Sequence, residues 1–557
     1  MTVEMVTSAT GSSLQRLAED AWQRTAAESE LFYADEHWTG TQLADRSRRL
    51  SGGLRQTAGL QPGERVVVCM ANCPEVTVGY HAVWRAGAVA TPVLFLLSEA
   101  ELRHVLSDSG AVLVITTPEF LPKVTAAAAG LAAIRGIVVA GPPAGEAPQA
   151  RPGELPLLSF AALETAEPGE LIDSDPAALA ALLYTGGTTG RSKGVMISHN
   201  ALSAAAWAAT ATSHDDSMPT SLLTLPLSHV YGLMVSVMAL HSPTPGTIVL
   251  MRWFDPVGWL ELAQRHRINV SPLVPSMLQM LGQQPLENYD LSALVRLTSG
   301  AAPLPGQVAD DLERRLPGVE IAEGYGCTET AAIIATSPFK QARRGSVGRP
   351  APGVEVQLEL PDGSLAEPGA EGEVCVRGPV VMSGYWNAAP ETELALRGGW
   401  LHTGDVGRVD DDGYLYIVDR IKDLIIRGGY NVYPRDVEDV LIEHPDVVAA
   451  AVVGKPDPKY GEEVVGFVQL RDGAIVTSDE LVAFAKTRLS AVKYPRDVRI
   501  IDAIPLTSVG KTDRKKLRSA VAAELSAAQL AASPGPAAAG TRTGDEPSGS
   551  RRAWAAC

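Results

Sequence analysis

The stretch Tyr184-Thr185-Gly186-Gly187-Thr188-Thr189-Gly190-Arg191-Ser192-Lys193-Gly194-Val195 constrains this chain more than any other. A strand-like apolar run, Ala178 to Leu183, leads into it, and a helix-like run, Asn200 to Ala209, follows. Between them stand glycines that let backbone amides approach a ligand, hydroxyls that donate hydrogen bonds, and a lysine that supplies a point charge. That composition suits phosphate oxygens. It is not the common nucleotide loop G-x-x-x-x-G-K-[ST], because Ser192 precedes Lys193 and Gly194 follows it. The one Gly-Lys-Thr of the chain, Gly510-Lys511-Thr512, has Pro505 where that motif needs its first glycine.

Around this loop the pattern alternates between strand and helix. Arg65–Met70 is β-branched, Pro74–Arg85 reads as a helix with proline in its first turn, and Val89–Pro92 is apolar. Glu99–Ser107 reads as a helix and Val112–Thr116 as a strand. Such alternation predicts parallel sheet covered by helices. The rhythm resumes at Ala178 and runs to about Ala322, after a connector rich in proline, glycine and alanine from Pro142 to Pro156. From Val354 to Val418 short alternating strands are broken by Asp-Gly turns, which predicts a β-rich subdomain. After Arg420 a smaller unit follows: helices near Asp436–Glu443 and Glu480–Leu489, strands near Val447–Val453 and Val464–Gln469. The expected class is α/β, mixed α+β in parts. The expected division is a core at 1–420, a small α+β domain at 421–525, and a disordered tail at 526–557.

Bulk properties exclude several functions. The net charge of -17, with no basic stripe, argues against a general nucleic-acid binder. Five scattered cysteines, an odd number, favour a reducing compartment over a disulfide framework. Cys69 and Cys73 stand four apart with no second Cys/His pair nearby, so zinc is not expected there. Met1 to Gln15 lacks a basic start followed by an apolar core. The longest apolar runs, near Val89–Leu97 and Val230–Leu240, are far short of the roughly 20 residues a membrane span needs. These signs give a cytoplasmic expectation.

Five further stretches carry groups suited to chemistry. Leu225-Pro226-Leu227-Ser228-His229-Val230-Tyr231-Gly232 holds an imidazole, and Thr298-Ser299-Gly300-Ala301-Ala302-Pro303-Leu304 has small side chains that let backbone meet a flat ligand. Glu323-Gly324-Tyr325-Gly326-Cys327-Thr328-Glu329 combines a π face, a hydroxyl donor and a hard carboxylate. Trp400-Leu401-His402-Thr403-Gly404-Asp405 with Asp419-Arg420-Ile421-Lys422-Asp423 offers a carboxylate and a guanidinium, and Pro505 to Arg514 presents Lys511 beside Gly510.

Taken with the loop at 184–195, these stretches resemble, in order and spacing, the adenylate-forming superfamily of acyl-CoA synthetases, luciferases and peptide-synthetase adenylation domains. The wording is most similar to bacterial fatty-acyl- and related acyl-CoA synthetases. The departures are few: Gly186 stands where that family usually has serine, Ser192 where it often has proline, and Ser228 where it often has phenylalanine. The resemblance implies that Thr185, Gly186, Gly187, Thr188, Thr189, Gly190 and Lys193 cradle ATP phosphates, and that Gly300, Ala301 and Ala302 lie along adenine. It implies that Tyr325 stacks on the base, Thr328 touches phosphate, and Glu329 with Thr185 holds Mg²⁺. Asp405 and Arg420 would hold the ribose, and Ser228, His229, Tyr231, Ser299, Gly326 and Cys327 would border the acyl group. Cys327 has no base beside it in sequence, which argues against a nucleophilic role. Lys511 would enter the site during adenylation, Lys422 would be the hinge of a mobile C-terminal domain, and Gly428 and Gly429 would let pantetheine pass.

The reaction so implied has two halves. ATP and a small-molecule carboxylate give acyl-adenylate and pyrophosphate, and coenzyme A then displaces AMP. Lys193, Lys511, His229, Thr185 and Glu329 are the expected catalytic groups. Two rival readings remain: a non-CoA acceptor such as an amine or carrier protein, and a nucleotide-binding scaffold without turnover.

Overall fold

Two large sheets with helices between them form the N-terminal part. The structure, a computed structural model, describes residues 11–141, 155–185, 192–506 and 512–532. The first sheet has eight strands, in the order Gly384–Tyr385, Lys193–Ser198, Leu179–Thr185, Val89–Pro92, Arg65–Cys69, Leu113–Thr116, Gly136–Val139 and Leu157–Ser159. From Leu179–Thr185 onward all neighbours run parallel. Strand alternation sends Val66 and Val68 to the inner core and Val67 and Cys69 to the outer one, against Leu102, Leu106 and Val124.

The second sheet has nine strands and is parallel from Glu30–Tyr33 through Thr247–Leu250, Thr220–Leu223, Val270–Leu273 and Arg296–Ser299 to Glu320–Tyr325. Its outer face packs on Trp259, Leu260, Leu278 and Leu312. The helices Leu14–Thr25, Pro74–Arg85, His199–Ser213 and Val230–His241 lie between the two sheets, and their buried residues join one continuous core with both. A helix covered on all sides must be apolar or small all round. His199–Ser213 meets that need with alanine: Ala201, Ala204, Ala205, Ala206 and Ala208 are all buried.

The third sheet is antiparallel: Glu355–Glu359, Gly372–Arg377, Leu401–Val409 and Leu415–Arg420, as the alternation and turns predict. The fourth belongs to the smaller C-terminal domain. Its strands Val447–Asp457 and Gly461–Leu470 present Val452, Val464 and Val468 to the helices Pro434–Ile442 and Ser478–Lys486. Their other face presents Ala451, Val453, Val465 and Phe467 to Leu517 and Val521 of the helix Arg514–Ala532.

The structure departs from the sequence reading in the edges of the sheets. Lys193–Ser198 is a strand, antiparallel to Leu179–Thr185, so the glycine-rich loop joins a hairpin before the helix begins. Gly194 interrupts this short run, and only Val195 and Ile197 carry its buried alternation. The last helix runs to Ala532, past the start of the stretch whose composition reads as disordered. The connector from 142 to 154 and the tail from 533 lie outside the described residues. No described helix is long and apolar enough to cross a membrane.

Candidate active site

Ligands of open α/β sheets bind outside the carboxyl ends of the strands, because there the loops converge and no helix covers the backbone. Here a cleft of about 2290 Å³ opens at those ends and extends to the C-terminal domain. Thr185 and Lys193 form the last pair of the hairpin, and both border it. Lys193 Nζ lies 3.4 Å from Glu391 Oε1 and 5.4 Å from the centre of the Tyr385 ring. Tyr385 pairs with Val195 at the sheet edge, and its hydroxyl donates to Glu329 Oε1 at 2.9 Å. One tyrosine therefore spans the Lys193 ammonium and the Glu329 carboxylate. Tyr385 and Glu391 were not legible as site residues, since nothing in the sequence around Gly384-Tyr385-Trp386 marks them.

Asp405 is buried and organises the opposite wall. Its Oδ2 accepts the Tyr325 hydroxyl at 2.6 Å, and its Oδ1 lies 2.9 Å from Arg420 Nε. Cross-strand pairing sets the second contact, since Asp405 stands opposite Arg420. Burial and the nearby Asp405 charge raise the Tyr325 phenol well above its ordinary range, so it remains a donor.

The loop Leu225–His229 is tied to the first sheet by buried Asn72, whose side-chain amide donates to Leu225 O and Met251 O and accepts Leu227 N–H. His229 then caps the helix Val230–His241. Its Nδ1 accepts Tyr231 N–H at 3.2 Å, which puts the proton of the neutral ring on Nε2. Gly300 packs under Tyr231: a Cβ there would sit 3.0 Å from the ring. Ala301, Ala331 and Ala332 all take positive φ (71°, 48° and 82°), conformations that cost a non-glycine residue energy and cluster at functional sites. Cys327 borders the cleft, but burial and then the Glu329 charge push its thiol up, so it is no ready nucleophile.

Gly300, Ala301, Ala302, Gly326, Thr328, Ser228 and Lys422 also border the cleft. Three expected residues do not. Ser299 is buried behind the wall, because alternation along Arg296–Ser299 turns Arg296 and Thr298 to the cleft and Leu297 to the outer core. Gly428 and Gly429 sit on the turn of the hairpin Ile425–Arg427/Tyr430–Val432, away from the cleft, with φ of 59° and 85°. Leu506 and Thr512 instead face it. Gly186, Gly187, Thr188, Thr189, Gly190 and Lys511 lie outside the described residues.

The C-terminal domain is held in this arrangement by Gln279 Nε2 to Val448 O (2.6 Å), Tyr433 Oη to Glu371 Oε2 (2.8 Å) and Arg435 Nη1 to Ile417 O (2.7 Å). Among its residues that border the cleft, Glu438 and Arg514 are joined by a two-contact ion pair of 2.7 Å each.

The cleft gathers Lys193, Glu329, Asp405 and Arg420 from separate elements. The chain belongs to the AMP-binding enzyme family: that family matches residues 17–386, and the AMP-binding enzyme C-terminal domain matches 436–511. It is 38% identical to a feruloyl-CoA synthase from Amycolatopsis sp over 486 residues, covering 86% of this chain and 93% of that one. It is 34% identical to a long-chain-fatty-acid–CoA ligase of Bacillus subtilis over 530 residues, covering 91% and 94%. The solved amide bond synthetase McbA from Marinactinospora thermotolerans is similar in fold, with a TM-score of 0.80, 32% identity and coverage of 91% and 99%.

Proposed function

We propose that this protein activates a carboxylic acid with ATP, releases pyrophosphate, and transfers the acyl group from the adenylate to coenzyme A. The observation that carries the reading is the convergence on one cleft of Lys193, Glu329, Asp405 and Arg420 from separate elements. A carboxylate is a poor electrophile and repels the triphosphate, so the protein must align two anions and neutralise them. Lys193 neutralises phosphate charge, and Lys511 serves the same purpose between the carboxylate and the α-phosphate. His229 donates from Nε2 to a carboxylate oxygen of the acyl substrate. Ser228, Tyr231, Gly326 and Cys327 shape the acyl wall. Tyr325 stacks on adenine beside Gly300–Ala302, Thr328 donates to phosphate, and Asp405 and Arg420 take the ribose hydroxyls. Gly428 and Gly429 meet pantetheine after the C-terminal domain turns about Lys422.

Mg²⁺ suits the donors present: Glu329 and Thr185 are hard oxygens, few in number, which fits an ion that keeps waters and binds phosphate; when bound it supplies charge neutralisation. Tyr385 orients Glu329. Tyr385→Phe should raise the Mg²⁺ concentration needed for half-maximal pyrophosphate exchange about tenfold, since a hydrogen bond to a charged group contributes roughly 1.5–3 kcal/mol. The melting temperature should be unchanged. An unaltered Mg²⁺ dependence in that variant would remove the orienting role.

The test of the whole reading is ATP–pyrophosphate exchange across aliphatic and aromatic acids. Absence of exchange with every acid would leave only the scaffold reading. A second reading, amide formation, is favoured by the likeness to an amide bond synthetase. Product analysis with coenzyme A and amines offered together separates the two, thioester being the expected product.

A further inference from the structure

Beside the Asp405 wall stands a group of ligand-bearing side chains that adenylation does not use. In the third sheet Glu359 pairs with Glu373, and Cys375 pairs with His402. Two-residue alternation along Gly372–Arg377 then puts all four side chains on one face. Cys375 Sγ lies 3.3 Å from His402 Nδ1, and the ligand atoms of Glu359, Cys375 and His402 all fall within 4.8 Å of one another. Glu373 Oε2 is 2.9 Å from the same Nδ1. A tetrahedral zinc ion, with bonds of about 2.3 Å to sulfur and 2.0 Å to nitrogen, holds those two atoms roughly 3.5 Å apart. The sulfur–nitrogen spacing is close to that value.

The environment agrees. Cys375 is fully buried and His402 nearly so, while His402 and Glu373 also border the cleft and give a path of entry. Two carboxylates face this sulfur and imidazole. The cation paired with Glu373, Arg397, sits 3.0 Å from it on a half-exposed side chain that can turn aside. We propose that Glu359, Cys375 and His402 bind a thiophilic divalent cation of the zinc or cobalt(II) class, and that this cation opposes nucleotide binding.

The opposition follows from the hydrogen bonds. Without the cation, Glu373 Oε2 accepts a hydrogen bond from His402 Nδ1–H while Oε1 accepts Gly404 N–H at 3.0 Å, which fixes the backbone entering Asp405. A cation takes the Nδ1 lone pair, the His402 proton moves to Nε2, and Glu373 loses its hold on that segment. Cys375 gives its thiol proton to the solvent as the metal–sulfur bond forms.

The antagonism rests on the nucleotide reading of Asp405, whereas the metal site does not. Cobalt(II) titration of the full chain should raise a thiolate-to-cobalt charge-transfer band. Cys375→Ser should abolish the band while the other cysteines stay in place, and Glu359→Gln should keep the band but weaken affinity roughly tenfold. A band of equal strength in Cys375→Ser, or no band in the wild type, overturns the site. Saturating AMP should weaken cobalt binding by the factor by which cobalt weakens AMP. Unchanged cobalt affinity, in a protein shown by calorimetry to bind AMP, overturns the antagonism. Failure of AMP to bind at all overturns the antagonism through the nucleotide reading on which it rests and leaves the cobalt result standing.

Discussion

Replacing Asp405 by asparagine should cost the protein about a hundredfold in AMP and ATP affinity while leaving it folded. The carboxylate is buried and accepts from Tyr325 Oη on one oxygen and faces Arg420 Nε with the other. Its own amide is held by Thr403 Oγ1 at 3.1 Å, so the side chain has little freedom to move elsewhere. Asparagine keeps the shape but offers one acceptor where the carboxylate offers two, and its amide turns N–H groups toward a guanidinium or a phenol. Hydrogen bonds to a charged partner are worth roughly 1.5–3 kcal/mol each, and losing about 3 kcal/mol across the ribose hydroxyls gives the hundredfold figure. Stability should suffer less, because half of the Arg420 side chain is exposed and water can take over its solvation. Calorimetric titration with AMP, paired with a melting curve, is the measurement. An affinity within twofold of wild type would show that the ribose does not sit at Asp405.

Much of this architecture is legible in the chain because its cues are local. The helix Pro74–Arg85 and the strand Val89–Pro92 have the bounds their residues suggest, since proline opens the helix and both strand faces are apolar. The strand Lys193–Ser198 was not legible, because its partner lies across the loop and its own alternation rests on two residues. The site divides the same way. Motifs such as Glu323–Glu329 can be read because loops at strand ends carry several ligand-facing residues in a row. Tyr385, Glu391, Glu438 and Arg514 arrive from elsewhere in the fold, and only packing brings them to the cleft. Ser299 misled for a different reason: it shares a motif with Gly300, but the last strand residue turns its side chain the other way. Gly428 and Gly429 depend on the position of a whole domain, which no local pattern encodes.

That dependence supplies the sharpest expectation, a separation of the two half-reactions by single substitutions. Leu506 and Thr512, which flank the Lys511 segment, pair with each other and border the cleft, while the Gly428–Gly429 turn faces away. On the proposed reading this is the arrangement that adenylation uses. On the same reading, thioester formation requires the domain to turn about Lys422, break its bonds to Gln279, Glu371 and the Ile417 carbonyl, and bring the turn inward. Lys511→Ala should therefore slow adenylation by roughly two to three orders of magnitude, because one positioned charged donor in such a site is worth about 3–4 kcal/mol. Supplied with synthetic acyl-adenylate and coenzyme A, the same variant should form thioester at nearly the wild-type rate. Lys422→Pro should do the reverse: fixing φ at the hinge spares adenylation, measured by pyrophosphate exchange, and blocks transfer. Equal loss of both halves in both variants would rule out domain alternation. Full adenylation by Lys511→Ala would remove that lysine from the chemistry and leave Lys193 as the phosphate cation of the reaction.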